Sequence, residues 1–234
     1  MKKQNGTKNM NGIFLILGAA PYEKRHIDIL QKHIESMGSD MFICCADGGA
    51  WLAKDLGTDP DILIGDLDSC DEERIRDFYD DEQSKDFDVI KLNPVKNDTD
   101  LFASIDYGLE NGYKNFVLMG VTGGRLDHFM GAIAALEYAM ENRAEAVIID
   151  EMNKVRMLRG PGTVKLSDDE YRFFSIVSLD RAIEGISISG AKYNVANYTL
   201  DRFSSRCISN EIEDGATEAV ISIEKGTCLI IQSR

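Results

Sequence analysis

The segment from Cys45 to Ser69 constrains this chain more than any other. Met41 to Ala46 is an apolar run that stops at Asp47-Gly48-Gly49. Ile62-Leu63-Ile64 is a second run, stopping at Gly65-Asp66-Leu67-Asp68-Ser69. Apolar runs this short, closed by turn residues, read as buried strands. In an open α/β sheet, ligands collect beyond the carboxyl ends of the strands, so both acidic turns are expected to open into one crevice. Asp66 and Asp68, two positions apart on an extended segment, point to the same side and suit a hard cation with oxygen ligands. The glycines let backbone approach a phosphate closely. Two neighbouring carboxylates repel unless a cation or a basic group compensates them. Asp and Gly also make turns after strands with no function attached, and that reading covers either turn taken singly; two such turns in one short segment favour a site.

Strand-like and helical runs alternate through the first 150 residues. Gly12 to Ala20 reads as a strand. Tyr22 to Met37 reads as a helix, with Ile27, Leu30, Ile34 and Met37 at helical spacing. A short helix around Ala50 to Leu56 ends at Gly57. Asp71 to Asp88 is strongly acidic and reads as a solvated helix and loop. Val89 to Leu92 is the next strand, broken by Asn93-Pro94 ahead of Lys96-Asn97-Asp98-Thr99-Asp100. Thr99 or Asp98 is a candidate N-cap for a helix whose apolar face is Leu101, Phe102, Ile105 and Leu109. Asn115 to Gly120 is a further strand. Thr122-Gly123-Gly124-Arg125-Leu126-Asp127-His128 then leads into a helix with Leu126, Phe129, Met130, Ile133, Leu136 and Met140 on one face. A Gly-Gly turn opening a helix offers backbone N–H groups to an anion, and Arg125 adds a planar fork for phosphate. His128 by itself fits packing or capping equally well.

From Val155 the pattern changes to short alternating segments punctuated by glycine: Val155 to Leu158, Tyr171 to Leu179, Ile183 to Ser189, Arg206 to Ile212, Ala219 to Ile223 and Cys228 to Ile231. The expected organisation is an α/β domain over residues 1–150, with an open, mostly parallel sheet and helices, and an all-β domain over 151–234.

Composition excludes several classes. With 234 residues, 44% hydrophobic and 28% charged, the chain is an ordinary globular sequence. A net charge of −14 argues against a nucleic-acid groove or an anionic membrane surface. Five cysteines without Cys-x-x-Cys spacing suggest neither a disulfide framework nor a zinc site, which points to a reducing cytoplasm. Lys2-Lys3 followed by Ile13 to Leu17 has the outline of a signal peptide. The apolar core is short, however, and Tyr22-Glu23-Lys24-Arg25 stands where small residues would be needed. No apolar run approaches the roughly 20 residues that span a bilayer.

Four motifs stand in one order: Ala46-Asp47-Gly48-Gly49-Ala50; Pro60-Asp61 leading to Gly65-Asp66-Leu67-Asp68-Ser69; Lys96 to Asp100; and Gly123-Gly124-Arg125-Leu126-Asp127-His128. Together with Gly190-Ala191-Lys192-Tyr193 and Ser209-Asn210 farther on, this set resembles the thiamine pyrophosphokinase family over nearly the whole chain. The resemblance implies an α/β nucleotide domain followed by a β-sandwich. It implies transfer of the pyrophosphoryl group of ATP to the hydroxyethyl oxygen of thiamine, giving AMP, with Mg2+ required. It also implies a homodimer with thiamine near the subunit interface, each site drawing on two subunits, and Tyr193, Ser209 and Asn210 on the thiamine side. The sequence departs from the family pattern twice. Asn97 occupies an Asp position of the third motif, and Tyr193 stands where Trp is common. The second change keeps an aromatic face for the cationic thiazolium.

Attack of an alcohol on a nucleotide phosphorus depends on positioning and charge stabilisation. The expected metal ligands are Asp66, Asp68 and Asp100, and the expected phosphate partners are Lys96 and Arg125. Asp47, Gly48 and Gly49, with Thr99, Thr122, Gly123, Gly124, Asp127 and His128, line the nucleotide side. Which carboxylate takes the hydroxyl proton stays open. A metal-dependent nucleotide-sugar transferase or phosphohydrolase would use an Asp-x-Asp turn equally well, and a nucleotide-sensing module would bind ATP without turnover.

Overall fold

β1 (Ile13–Leu17), β2 (Met41–Ala46), β3 (Ile62–Gly65) and β5 (Asn115–Met119) are the continuous apolar runs of the first half of the chain, and each is buried nearly end to end. Such runs belong to parallel strands covered on both faces. The computed structural model describes residues 12–66, 87–93, 99–167 and 170–234. The chain forms two compact units, Met1–Glu151 and Met152–Arg234.

In the first unit, β4 (Asp88–Lys91) and β6 (Glu145–Ile149) complete a parallel sheet in the order β6-β5-β1-β2-β3-β4. Side chains alternate across it. Leu15, Leu17, Ile43, Cys45 and Leu63 face one layer, where Ile27 and Leu30 of α1 (Ile27–Ser36) and Ala50, Leu52 and Ala53 of α2 (Gly49–Asp55) pack. Phe14, Phe42 and Phe116 face the other, with Phe14 and Phe42 stacked at 5.3 Å and Tyr107 of α3 (Asp100–Glu110) over both. Burying each such aromatic or leucine contributes roughly 1.5–3 kcal/mol. Gly108 of α3 makes this layer possible, since a Cβ there would lie 2.5 Å from the Phe116 ring. The buried stripe of α3 is accordingly Ser104, Ile105 and Gly108, with Leu101, Phe102 and Leu109 only half-buried.

Two expectations are corrected here. The segment after β1 opens not with a long helix from Tyr22 but with a single 3-10 turn, Lys24–His26, before α1. In α4 (Leu126–Glu141) the apolar face is buried only from Ala132 and Ile133 onward. Leu126 and Met130 are 79% and 61% exposed, because the first turns of the helix run beyond the layer that covers the rest.

The second unit is two antiparallel sheets. One has the order β7 (Asn153–Arg159), β14 (Thr227–Ser233), β9 (Phe173–Ser178), β12 (Asn210–Glu211). The other runs β8 (Gly162–Ser167), β13 (Glu218–Ile223), β10 (Ala182–Ser189), β11 (Val195–Asp201). Phe174, Ile176, Cys228 and Ile230 from the first meet Leu166, Ile183, Ile186, Ile188, Leu200, Ala219, Ile221 and Ile223 from the second in one core, which is the construction of a β-sandwich. Between Arg206 and Ile212 only Asn210–Glu211 pairs as a strand. Cys207 and Ser209 take φ of 71° and 56°, which an extended run cannot contain.

Candidate active site

The strand order reverses at β1, which lies between β2 and β5. This is the switch point where an open α/β sheet leaves a crevice beyond its carboxyl ends. Glycines let the loops converge there. Gly120, at φ 67°, has no room for a Cβ, which would lie 2.5 Å from the Gly18 carbonyl oxygen. The Gly18 N–H donates to Met119 O at 2.8 Å and the Ala20 N–H to Gly120 O at 2.8 Å, so the loops after β1 and β5 are stitched together. Pro21 then backs the Gly123-Gly124 turn, 2.9 Å from where a Cβ on Gly124 would sit. Sequence reasoning missed the Gly18-Ala19-Ala20-Pro21 loop; its signal was a glycine and two alanines directly after the first buried strand. The loop is held from beneath by the Tyr22 hydroxyl, which donates to Asp55 Oδ2 at 2.8 Å.

Asp47 follows β2 with φ 46°, a conformation uncommon outside glycine, and it is 7% exposed. Its N–H donates to Ile64 O at 2.9 Å. Gly65 allows the approach: a Cβ there would stand 3.0 Å from both Cα and Cβ of Asp47. Asp66 leaves β3, and Asp100 opens α3 behind Thr99, whose hydroxyl accepts from the Phe102 N–H at 3.5 Å as the helix cap. Carboxylate oxygens of Asp47, Asp66 and Asp100, one each, lie within 4.8 Å of one another. Pairwise repulsion at that separation is on the order of 3 kcal/mol at an effective dielectric of about 20, which a divalent cation reverses. An all-oxygen anionic donor set fits a hard cation such as Mg2+ and not a soft one. Asp47, expected on the nucleotide side, thus joins Asp66 and Asp100, whereas Asp68 and Lys96 lie outside the described residues.

Gly123 (φ 83°) and the exposed Gly124 lead into Arg125, the N-cap position of α4. The guanidinium engages Asp127 through Nε to Oδ1 at 3.1 Å and a second nitrogen to Oδ2 at 2.5 Å. The hydrogen bond from Arg125 holds the Asp127 carboxyl down at about 2. Thr122 is half-buried and His128 exposed, its N–H donating to Asp127 Oδ1 at 3.1 Å. In the second unit Tyr193 is 64% exposed, Ser209 is exposed and Asn210 is buried.

Residues 35–148 match the profile of the thiamin pyrophosphokinase catalytic domain, and residues 163–228 that of the thiamin pyrophosphokinase vitamin B1 binding domain. Thiamine pyrophosphokinase of Bacillus subtilis (strain 168) is 30% identical over 189 residues, which cover 80% of this chain and 85% of that protein. The chain belongs to the thiamine pyrophosphokinase family. The crystal structure of thiamine pyrophosphokinase from Bacillus subtilis superposes with a TM-score of 0.79 at 26% identity, over 94% of this chain and 98% of that one. The crystal structure of thiamin pyrophosphokinase from Geobacillus thermodenitrificans gives 0.78 at 26% identity, over 95% and 97%. The thiamine pyrophosphokinase catalytic profile spans the three gathered carboxylates and the Gly-Gly-Arg turn, and the vitamin B1 profile spans Tyr193, Ser209 and Asn210.

Proposed function

We propose that Asp47, Asp66 and Asp100, with Asp68 two positions after Asp66, hold a magnesium ion for the family's reaction, transfer of the pyrophosphoryl group of ATP to thiamine. The observation that carries this reading is the convergence of three carboxylates from three separate stretches of the chain. A magnesium ion bound there supplies positive charge to phosphate oxygens. The thiamine hydroxyl oxygen forms a bond to the β-phosphorus, the bond from that phosphorus to the oxygen bridging to the α-phosphorus breaks, AMP departs with that oxygen, and one of the site carboxylates takes the hydroxyl proton. The Arg125 fork and Lys96 bind the moving phosphoryl groups. The N–H groups of the Gly123-Gly124 turn, with Gly48, Gly49, Thr122 and His128, line the nucleotide side, and Asp127 orients Arg125. Thr99 serves first as the cap of α3. The Tyr193 ring faces the thiazolium, with Ser209 and Asn210 on the same side.

The first unit is then the nucleotide-binding catalytic domain, and the second the thiamine-binding and dimerisation domain. We further propose a homodimer, supported by the family resemblance and tested by sedimentation equilibrium. A cytoplasmic location is supported by the free state of all four cysteines among the described residues. Among those residues no helix is long and apolar enough to cross a membrane.

The deciding experiment follows product release from ATP with and without thiamine across a magnesium titration. AMP appearing only with thiamine and magnesium is expected. Release of ADP or inorganic phosphate without thiamine overturns the reading in favour of a hydrolase, and binding without turnover favours a nucleotide sensor.

A further inference from the structure

Asn210 is 2% exposed, and its amide is spent on backbone. Oδ1 accepts from the N–H groups of Tyr193 at 3.1 Å and Glu211 at 2.9 Å, and Nδ2 donates to Tyr193 O at 2.9 Å. Both lone pairs of Oδ1 and one of the two Nδ2 hydrogens are thereby used, leaving little to offer a ligand. The asparagine side chain pairs with both polar backbone groups of Tyr193 as a neighbouring strand would.

The surroundings reinforce the clamp. Lys192 N–H donates to Glu211 O at 2.9 Å, Ala191 bridges to Ile212, and Ala191 N–H donates to Asn194 Oδ1 at 3.0 Å. The Glu211 carboxylate holds Lys192 at 3.1 Å and Arg172 at 3.3 Å. The chain reaches this arrangement through two left-handed non-glycine residues, Cys207 and Ser209, with the Ser209 N–H tied to Ser175 Oγ at 3.0 Å. Such conformations persist only where the surroundings over-determine them. The outcome is a Tyr193 whose backbone is fixed at both polar groups while its ring stays 64% exposed.

We infer that Asn210 is a positioning residue: it fixes the backbone of Tyr193 so that the exposed ring is presented to the thiazolium cation, and it makes no contact with thiamine itself. This rests on the reading of Tyr193 as the aromatic partner of thiamine.

The test uses the full chain carrying Tyr193→Ala, Asn210→Ala, Asn210→Asp and the two double variants, with steady-state AMP release and thermal melting measured on each. Asn210→Ala is expected to raise the KM for thiamine roughly tenfold while the KM for ATP stays within about twofold. Asn210→Asp keeps the acceptor and loses the donor to Tyr193 O, so it shifts the same constant in the same direction. Either Asn210 change added to Tyr193→Ala has no further effect on the thiamine KM. If Asn210→Ala is not recovered folded, the Asn210→Asp cycle decides alone. Additive losses overturn the inference, because Asn210 would then act on thiamine independently of Tyr193, and so do parallel rises in both KM values. No effect of Tyr193→Ala by itself overturns the underlying reading of Tyr193, a result distinct from an additive cycle.

Discussion

Arg125 and Asp127 form a two-pronged pair across the first turn of α4, with contacts of 3.1 and 2.5 Å, and both side chains stand mostly in solvent. The guanidinium raises no question of protonation, and the Asp127 carboxyl titrates at about 2, below its ordinary range. A depressed carboxyl pKa contributes above the unfolded value and is lost only as pH falls through about 2, so the pair is fully charged throughout a neutral assay range. Arg125→Lys is expected to lower kcat/KM about tenfold or more, since an ammonium cannot replace the fork. The shape of the pH–rate profile between about pH 6 and 9 stays as in the parent. A lysine variant with parental kcat/KM removes Arg125 from the phosphate site.

Asp66→Asn removes one of three mutually repelling carboxylates. Activity should fall on the order of a hundredfold and the magnesium requirement rise. In EDTA the same variant should melt above the parent, at about 2–4 °C per kcal/mol of repulsion relieved. Melting curves in EDTA and in excess magnesium check this pair of opposed effects. A variant melting below the parent in EDTA contradicts the repulsion argument.

Gly65→Ala tests the packing behind Asp47. The added methyl would stand 3.0 Å from Asp47 Cα, so the carboxylate must shift by a few tenths of an ångström to make room. Displacements of that size matter at a site needing near-ideal octahedral oxygen geometry. The expected result is a raised magnesium concentration at half-maximal rate with a melting temperature lowered only slightly. Unchanged magnesium dependence places Asp47 outside the metal site.

Tyr22→Phe removes the hydroxyl donated to Asp55. Burial chiefly, then the Asp55 hydrogen bond and charge, push the Tyr22 phenol up to about 12. A raised phenol pKa stabilises the fold fully below the unfolded value near 10 and loses that contribution as pH rises through about 12. The Tyr22→Phe variant should therefore be less stable by about 1 kcal/mol at neutral pH. In urea titrations the difference from the parent should shrink between about pH 10 and 12.

The α/β half was legible in sequence because strands buried on both faces leave unbroken apolar runs, so Met41–Ala46 could be read directly. The β half was less so. β8 and β11 stand at the edges of their sheet and fully bury only Leu166 and Leu200 respectively, with Val164 and Tyr198 half-buried two residues before them, so each offers just two inward apolar residues in alternation, too short a run to stand out. Helical periodicity in α4 identified an apolar face but not that its first turns, at Leu126 and Met130, go uncovered. Asp47 was assigned to the nucleotide side because its meeting with Asp66 and Asp100 depends on strand order, which no local window contains.

The place of β1 between β2 and β5 also has a consequence at the ribosome. One side of β1 can be satisfied soon after synthesis by β2, but its other partner begins only at Asn115. At about 5–20 residues per second, the nascent chain carries that half-built sheet for roughly 4–15 s between the end of β2 and the completion of β5. Throughout that interval an apolar strand presents an open hydrogen-bonding edge, the surface most prone to pair with another nascent chain. Growth conditions that slow elongation should therefore lower the soluble yield of this protein before they touch its activity per molecule.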